Sequence, residues 1–256
     1  MELIWKPSAS DIIRLQRFIA EAQREPFVQA RARRNLAPTK REVSRPAFWH
    51  ALVGALLTTQ QKSGPESAVA RFMRARPFPL AYPLCFSQLK VDMFVTRTLS
   101  AFGGIRRSTR IGEELAANLT MLEDGLWREV LNRLNSLRPL APQQKEMQAA
   151  EFLDDKFMGL GPKQSRNLLQ GLGLTRYEVP IDSRLTKWLN EFGFPLHLSA
   201  TGLADRDYYR LVSQGIQELC AAADISPCVL DAAVFASFDN GRWNAANMED
   251  WGYDGA

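Results

Sequence analysis

Residues 157–163, Phe-Met-Gly-Leu-Gly-Pro-Lys, restrict the fold of this chain more than any other segment, because they interrupt two stretches of helical periodicity. Before them, Gln144 to Phe157 carries Met147, Ala150, Leu153 and Phe157 along one helical side. After them a helix opens at Lys163 and runs to about Leu172, where Gly171 and Gly173 supply a stop. Two helices joined through Gly159-Leu160-Gly161 form a hairpin. Glycine permits positive φ and a tight turn and leaves backbone N–H groups uncovered. Pro162 suits the first helical position, whose N–H has no intrahelical partner. The uncovered N–H groups stand at a helix start, where the dipole favours an anion. A DNA phosphate can be held there without any reading of base sequence. Taken alone, the motif leaves Lys163 open between chemistry and plain contact with a nucleic-acid backbone.

Helical patterns dominate elsewhere too. Ile12, Ile13, Leu15, Phe18 and Ile19 make a first amphipathic stripe. Residues 31–47 are polar and arginine-rich, with Pro38 and Pro46, and read as a loop or linker: a solvated basic segment or a phosphate-contacting arm. Phe48, Trp49, Leu52, Val53, Leu56 and Leu57 predict a buried helix that stops near Thr58. Further helices are expected over 65–75, 87–101, 108–120 and 125–136, with Gly103-Gly104 breaking the second from the third. Tyr177 to Ile181 reads as extended, because Pro180 restricts Val179. Asp182 then caps a helix whose inner face is Leu185, Trp188, Leu189 and Phe192. The last third is helical around 205–222 and 227–238. Strand patterns are weak throughout, so the fold class is all-α. Two helical subdomains with a cleft between them are expected: 1–44 with 173–256, and 45–172, the latter ending in the hairpin at about 145–172.

Composition removes several alternatives. The three cysteines, at 85, 220 and 228, have no short spacings. They argue against a disulfide framework, a Cys-ligated zinc and a four-cysteine iron–sulfur loop. His50 and His197 are isolated, so no metal site is expected. The net charge of +4 decides little, although arginine, which predominates among the basic residues, favours bidentate phosphate contacts. No stretch approaches the roughly 20 apolar residues that a membrane span needs, and the N-terminus lacks a signal-peptide pattern. A soluble, cytoplasmic protein is expected.

Two further features bear on Lys163. Val179-Pro180-Ile181-Asp182 places a carboxylate 19 residues downstream, where a helix and a short return can bring it back beside the amine. Asp182 is also acceptable as a simple N-cap, and one carboxylate can serve both roles. Leu57-Thr58-Thr59-Gln60-Gln61 ends a buried helix about 100 residues upstream. Two amides at such an end can wedge into a duplex, or form an ordinary polar terminus. Asn167, one turn after Lys163, should face the same cavity. Arg166, Arg184 and Lys187 flank the two helices as phosphate contacts or plain surface charges.

Together these features resemble the helix-hairpin-helix, Gly/Pro-rich-loop, Asp superfamily of DNA glycosylases, which includes endonuclease III and the 8-oxoguanine DNA glycosylases. The resemblance covers roughly residues 48–192, with a weaker echo at 227–243. It implies that Lys163 is a nucleophile and Asp182 its catalytic carboxylate. It also implies that Gln60, or its neighbour Gln61, fills the gap left by an everted nucleotide. Gly159 and Gly161 would hold a phosphate, with Arg166 and Arg184 beside them. The missing cysteine cluster points toward the 8-oxoguanine branch. Leu230-Asp231 followed by Phe235 and Gly241 is similar to the C-terminal helix of its archaeal-type members, with Phe235 where that branch often has Trp. Asn167 and Phe235 would line the base pocket. The implied activity is a bifunctional glycosylase/AP lyase in base excision repair, preferring 8-oxoguanine. It would act as a monomer on double-stranded DNA containing a modified base. No cofactor is implied beyond room for a monovalent cation at the hairpin. The alternatives are another modified base on the same scaffold, or a non-catalytic helix-hairpin-helix module that only holds DNA.

Overall fold

A computed structural model of the chain describes residues 5–138, 140–239 and 243–244. Among the described residues thirteen α-helices make up most of the regular structure, and no strand occurs. They are α1 (Ala9–Ala22), α2 (Pro26–Leu36), α3 (Arg45–Leu57), α4 (Ala68–Met73), α5 (Tyr82–Phe86), α6 (Val91–Phe102) and α7 (Ser108–Met121). A π-helical turn, Leu122–Leu126, leads into α8 (Trp127–Asn135). The remainder are α9 (Gln143–Lys156), α10 (Pro162–Gly171), α11 (Ser183–Phe192), α12 (Arg206–Ala222) and α13 (Pro227–Asp239).

Two apolar clusters hold these helices. The first draws on residues between Val43 and Leu174, with α3 at its centre and Phe48, Trp49, Leu52, Val53, Leu56 and Leu57 all buried. The second combines the N-terminal helices with the chain from Val179 to Trp243. There α13 packs against α1, α2, α11 and α12. Each fully buried Leu, Val or Phe contributes about 1.5–3 kcal/mol over leaving it in water. The hairpin helix α10 packs on α9 and α3. It also reaches the second cluster through Gln170, which donates to Asp231 of α13 at 2.7 Å.

Two expectations are corrected. The basic segment 31–47 is not all loop, since residues 31–36 complete α2 and α3 starts at Arg45. Pro26 opens α2, and its buried residues, Phe27, Val28 and Asn35, do not form the long stripe that reveals a helix. The short helix α5 was not expected either. Pro83 near its start obscures a five-residue element.

No single helix among the described residues is long and apolar enough to cross a membrane.

Candidate active site

The hairpin is built as the glycine pattern requires, with one refinement. Gly159 has φ +83°, and a Cβ there would lie 2.6 Å from both Glu114 and Leu56. Gly161 is different: its φ of −118° is ordinary extended backbone, and a Cβ there would meet nothing within 4 Å. Gly159 is therefore demanded by the turn and by close packing, whereas no neighbour inside the molecule demands Gly161. Asn118 bolts the turn to α7, accepting from the Met158 N–H at 2.8 Å and donating to the Met158 carbonyl at 3.0 Å. Gly161 is the N-cap of α10 and offers no side-chain cap. The N–H groups of Gly161, Lys163 and Gln164 consequently find no acceptor among the described residues.

Lys163 follows Pro162 in the first turn of α10 and is half-buried. It makes no hydrogen bond or ion pair among the described residues. Burial pushes its ammonium below the usual lysine range; Asp182 and Asp231 oppose that shift and Arg184 adds to it.

Asp182 arrives beside Lys163 along a return loop held by side chains. Glu146 of α9 is buried and accepts from the Thr175 hydroxyl at 2.6 Å and from the N–H groups of Arg176, Tyr177 and Glu178 at 2.8–3.2 Å. Arg166 of α10 pairs with Glu178 at 2.6 Å. The Tyr209 hydroxyl donates to the Val179 carbonyl at 2.9 Å and accepts from the Ile181 N–H at 2.8 Å. Asp182 then caps α11, its Oδ1 accepting from the Arg184 and Leu185 N–H groups at 2.9 and 3.0 Å. Its Oδ2 takes no hydrogen bond from a described residue.

Lys163, Asn167, Asp182, Asp231 and Phe235 line one small cavity of about 40 Å³, with Thr58 and Gln170 among the other walls. That space holds about two or three waters. Aromatic rings close it: Phe27 stacks on Phe235 at 5.0 Å and lies 4.6 Å from the ring of Trp243. Arg184 sits 4.0 Å over the Phe235 ring and pairs with Asp239 at 3.2 Å.

Asp231, which the sequence reading noted only as part of a similar C-terminal helix, was given no place in the site. It is 9% exposed. Burial and the neighbouring Asp182 push its carboxyl up to about 7, against the Gln170 hydrogen bond and the Arg31 and Lys163 charges. One signal was available: Asp231 is the only charged residue between Pro227 and Ser237, and a lone acid in an apolar helix is costly unless partnered.

The polar helix end is tied to α10. Asn167 donates to the Thr58 hydroxyl at 3.0 Å, and Gln164 bonds Thr59. Gln60 stands exposed with a left-handed backbone, φ 56°. Gln61 does not share that freedom, since its amide donates to the Leu57 carbonyl and accepts from the Arg106 N–H at 2.9 Å. Arg166 requires a larger correction. It is 2% exposed, with its guanidinium on Glu178, on the Pro162 carbonyl and over the Tyr209 ring, so it does not face a phosphate. Lys187 is exposed, 3.8 Å from Glu191. Gly241 lies outside the described residues. No cluster of three His, Cys, Asp or Glu that would hold a metal occurs among the described residues.

No protein-family model matches the chain, and no curated protein matches its sequence. Solved structures do. The 8-oxoguanine DNA glycosylase of Thermotoga maritima superposes with a TM-score of 0.62 at 17% identity, over 90% of this chain and 96% of its own. That of Methanocaldococcus jannaschii gives 0.66 at 14% identity, over 88% and 94%. This chain therefore has the all-α fold of those two 8-oxoguanine DNA glycosylases over nearly its whole length.

Proposed function

We propose that the protein is a DNA glycosylase with an attached lyase activity, acting on a damaged purine of the 8-oxoguanine class. The observation that carries this reading is the common cavity of Lys163 and Asp182, on a fold shared with two 8-oxoguanine DNA glycosylases.

A base inside a duplex is out of reach, so the target nucleotide is everted, at a few kcal/mol of unstacking. The uncapped N–H groups of the hairpin hold a backbone phosphate, which approaches over the open space at Gly161. Gln60, exposed at the tip of the polar helix end, occupies the vacated position in the stack. The everted base is received between Asn167 and Phe235, which line the cavity with Lys163 and Asp182.

As the glycosidic bond breaks, its electron pair leaves with the base and positive charge gathers on the sugar. The Asp182 carboxylate stabilises that charge. The neutral Lys163 amine, favoured by burial, forms a bond to C1′, and the proton it then sheds passes to the departing base. The nitrogen lone pair next breaks the C1′–O4′ bond; O4′ takes up a proton from water and an iminium forms at C1′. This acidifies C2′; loss of a C2′ proton expels the 3′ phosphate and nicks the strand. Water in place of Lys163 would leave an intact abasic site. A monovalent cation at the hairpin would draw on the Gly159 and Leu160 carbonyls, because those of Phe157, Met158 and Gly161 are taken by Leu160, Asn118 and Ser165. No step above depends on it.

The test is borohydride trapping on a panel of duplexes carrying different modified bases. A covalent adduct with an oxidised-purine duplex is expected, and Lys163→Gln should abolish it. Duplex binding without an adduct on any lesion would leave only a DNA-holding module.

A further inference from the structure

A second cavity, of about 540 Å³, lies beyond the catalytic one, between α2, the segment 37–44, α3 and the C-terminal end of α10. Asn167 and Arg31 line both. Its volume lies within the range that holds small organic ligands, whereas the catalytic cavity is far below it.

The two sides of this cavity differ in chemistry. Four basic residues, Arg31, Arg34, Lys40 and Arg41, line one side, and the one acid in the lining, Glu42, is exposed. Small or apolar residues of α3, among them Ala47, Ala51 and Ala55, line the other, with Met73. Arg31 donates to Gln170 at 3.0 Å, and Lys40 to the Asn35 and Gly173 carbonyls at 2.9 and 2.5 Å. Arg34 differs: its Nε and Nη2 are buried without a partner, and no ion pair reaches it among the described residues. Burial and the like charge of Arg31 pull its guanidinium down to about 9.

Sequence and backbone make room for this side chain. A Cβ on Gly173 would lie 2.8 Å from Arg34 Cγ, and Gly173 has φ +71°. Two buried guanidinium nitrogens without a partner are costly to maintain. A neutral ligand would leave that charge unanswered. A dianionic phosphate would answer it, and a guanidinium matches phosphate in bidentate geometry.

We infer that this cavity is a binding site for a phosphate monoester of nucleotide size, its phosphate on Arg34 and its apolar part against the small residues of α3. The phosphate can belong to a free mononucleotide or to the 5′ end of a DNA strand, and neither source depends on the chemistry proposed for Lys163.

Titration calorimetry of the full chain tests the site with three probes: deoxyadenosine 5′-monophosphate, deoxyadenosine, and a single-stranded oligonucleotide with or without a 5′-phosphate. The mononucleotide is expected to bind and the nucleoside is not. Arg34→Gln should weaken mononucleotide binding at least tenfold, and Arg34→Lys less. Arg33→Gln, on the exposed side of α2, should leave it unchanged. A preference for the 5′-phosphorylated oligonucleotide alone, lost in Arg34→Gln, would assign the site to a strand end. Binding that is equal in wild type and Arg34→Gln, or absent for every probe, overturns the inference. Thermal melting guards against a folding artefact. Without ligand, Arg34→Gln should melt no lower than wild type, and the mononucleotide should raise the melting temperature of wild type only. A variant that melts lower, with no mononucleotide effect on wild type, would make Arg34 a structural residue.

Discussion

At the scale of single residues, Lys163, Asp182 and Asp231 share one cavity yet carry different burdens, and substitution can separate them. Asp182→Asn keeps an equally good N-cap. It should melt within about 0.5 kcal/mol of wild type while base release falls on the order of 10²-fold, read by single-turnover kinetics. Asp231 has its folded-state carboxyl at about 7 against an ordinary 3.8. The folded chain thus holds that proton more tightly than the unfolded chain. The resulting stability is fully present below about pH 4 and is lost as pH rises through about 7. Asp231→Asn still accepts from Gln170 and should remove this dependence, so melting curves at pH 8 should place the variant above wild type. Arg166→Ala should cost about 3–5 kcal/mol, because it strands the buried Glu178 carboxylate. A phosphate contact would instead leave stability alone and reduce the salt dependence of DNA binding. Asp182 as a cap was legible in the sequence because capping is local. The burial of Arg166 was not, since Glu178 lies 12 residues away and Tyr209 43.

At the scale of elements, the hairpin was the most legible feature, because its helices declare themselves by periodicity and its turn by glycine and proline. What the sequence did not disclose is how the turn is held. Asn118 grips both sides of Met158 from α7, 40 residues away. The two glycines should respond differently. Gly159→Ala forces a left-handed backbone and a clash with Leu56 and Glu114, and should cost about 2 kcal/mol or more in a denaturation experiment. Gly161→Ala meets open space and should leave stability within about 0.5 kcal/mol, while weakening duplex binding in a fluorescence titration. Helix α2 escaped the sequence reading for the opposite reason to the hairpin. Its charge lies on the surface and along a cavity, while Phe27 and Val28 at one end provide most of its burial. Of the two amides of the polar helix end, the resemblance favoured Gln60 over its neighbour Gln61, and the bonds of Gln61 to the Leu57 carbonyl and to the Arg106 N–H, 45 residues away, set it apart from exposed Gln60.

At the scale of the whole molecule, the fold class followed from the absence of strand patterns. The two apolar clusters follow from where the chain crosses between them, near Val43 and again between Leu174 and Val179. The cavity shared by Lys163 and Asp182 lies where those clusters meet: Lys163 and Asn167 come from α10 of the first, and Phe27, Asp231 and Phe235 from the second. Long-range side-chain contacts set that meeting, chiefly Glu146 on the return loop and Gln170 on Asp231. No local pattern encodes them, which is why the presence of the pair was readable and its surroundings were not. The chemistry itself is decided by where carbon bonds to nitrogen. Peptide mapping by tandem mass spectrometry of the borohydride-reduced protein–DNA adduct should find the deoxyribose remnant on Lys163 alone. Base release with no adduct, or an adduct on a different lysine, would mean that the amine at the head of α10 is not the nucleophile.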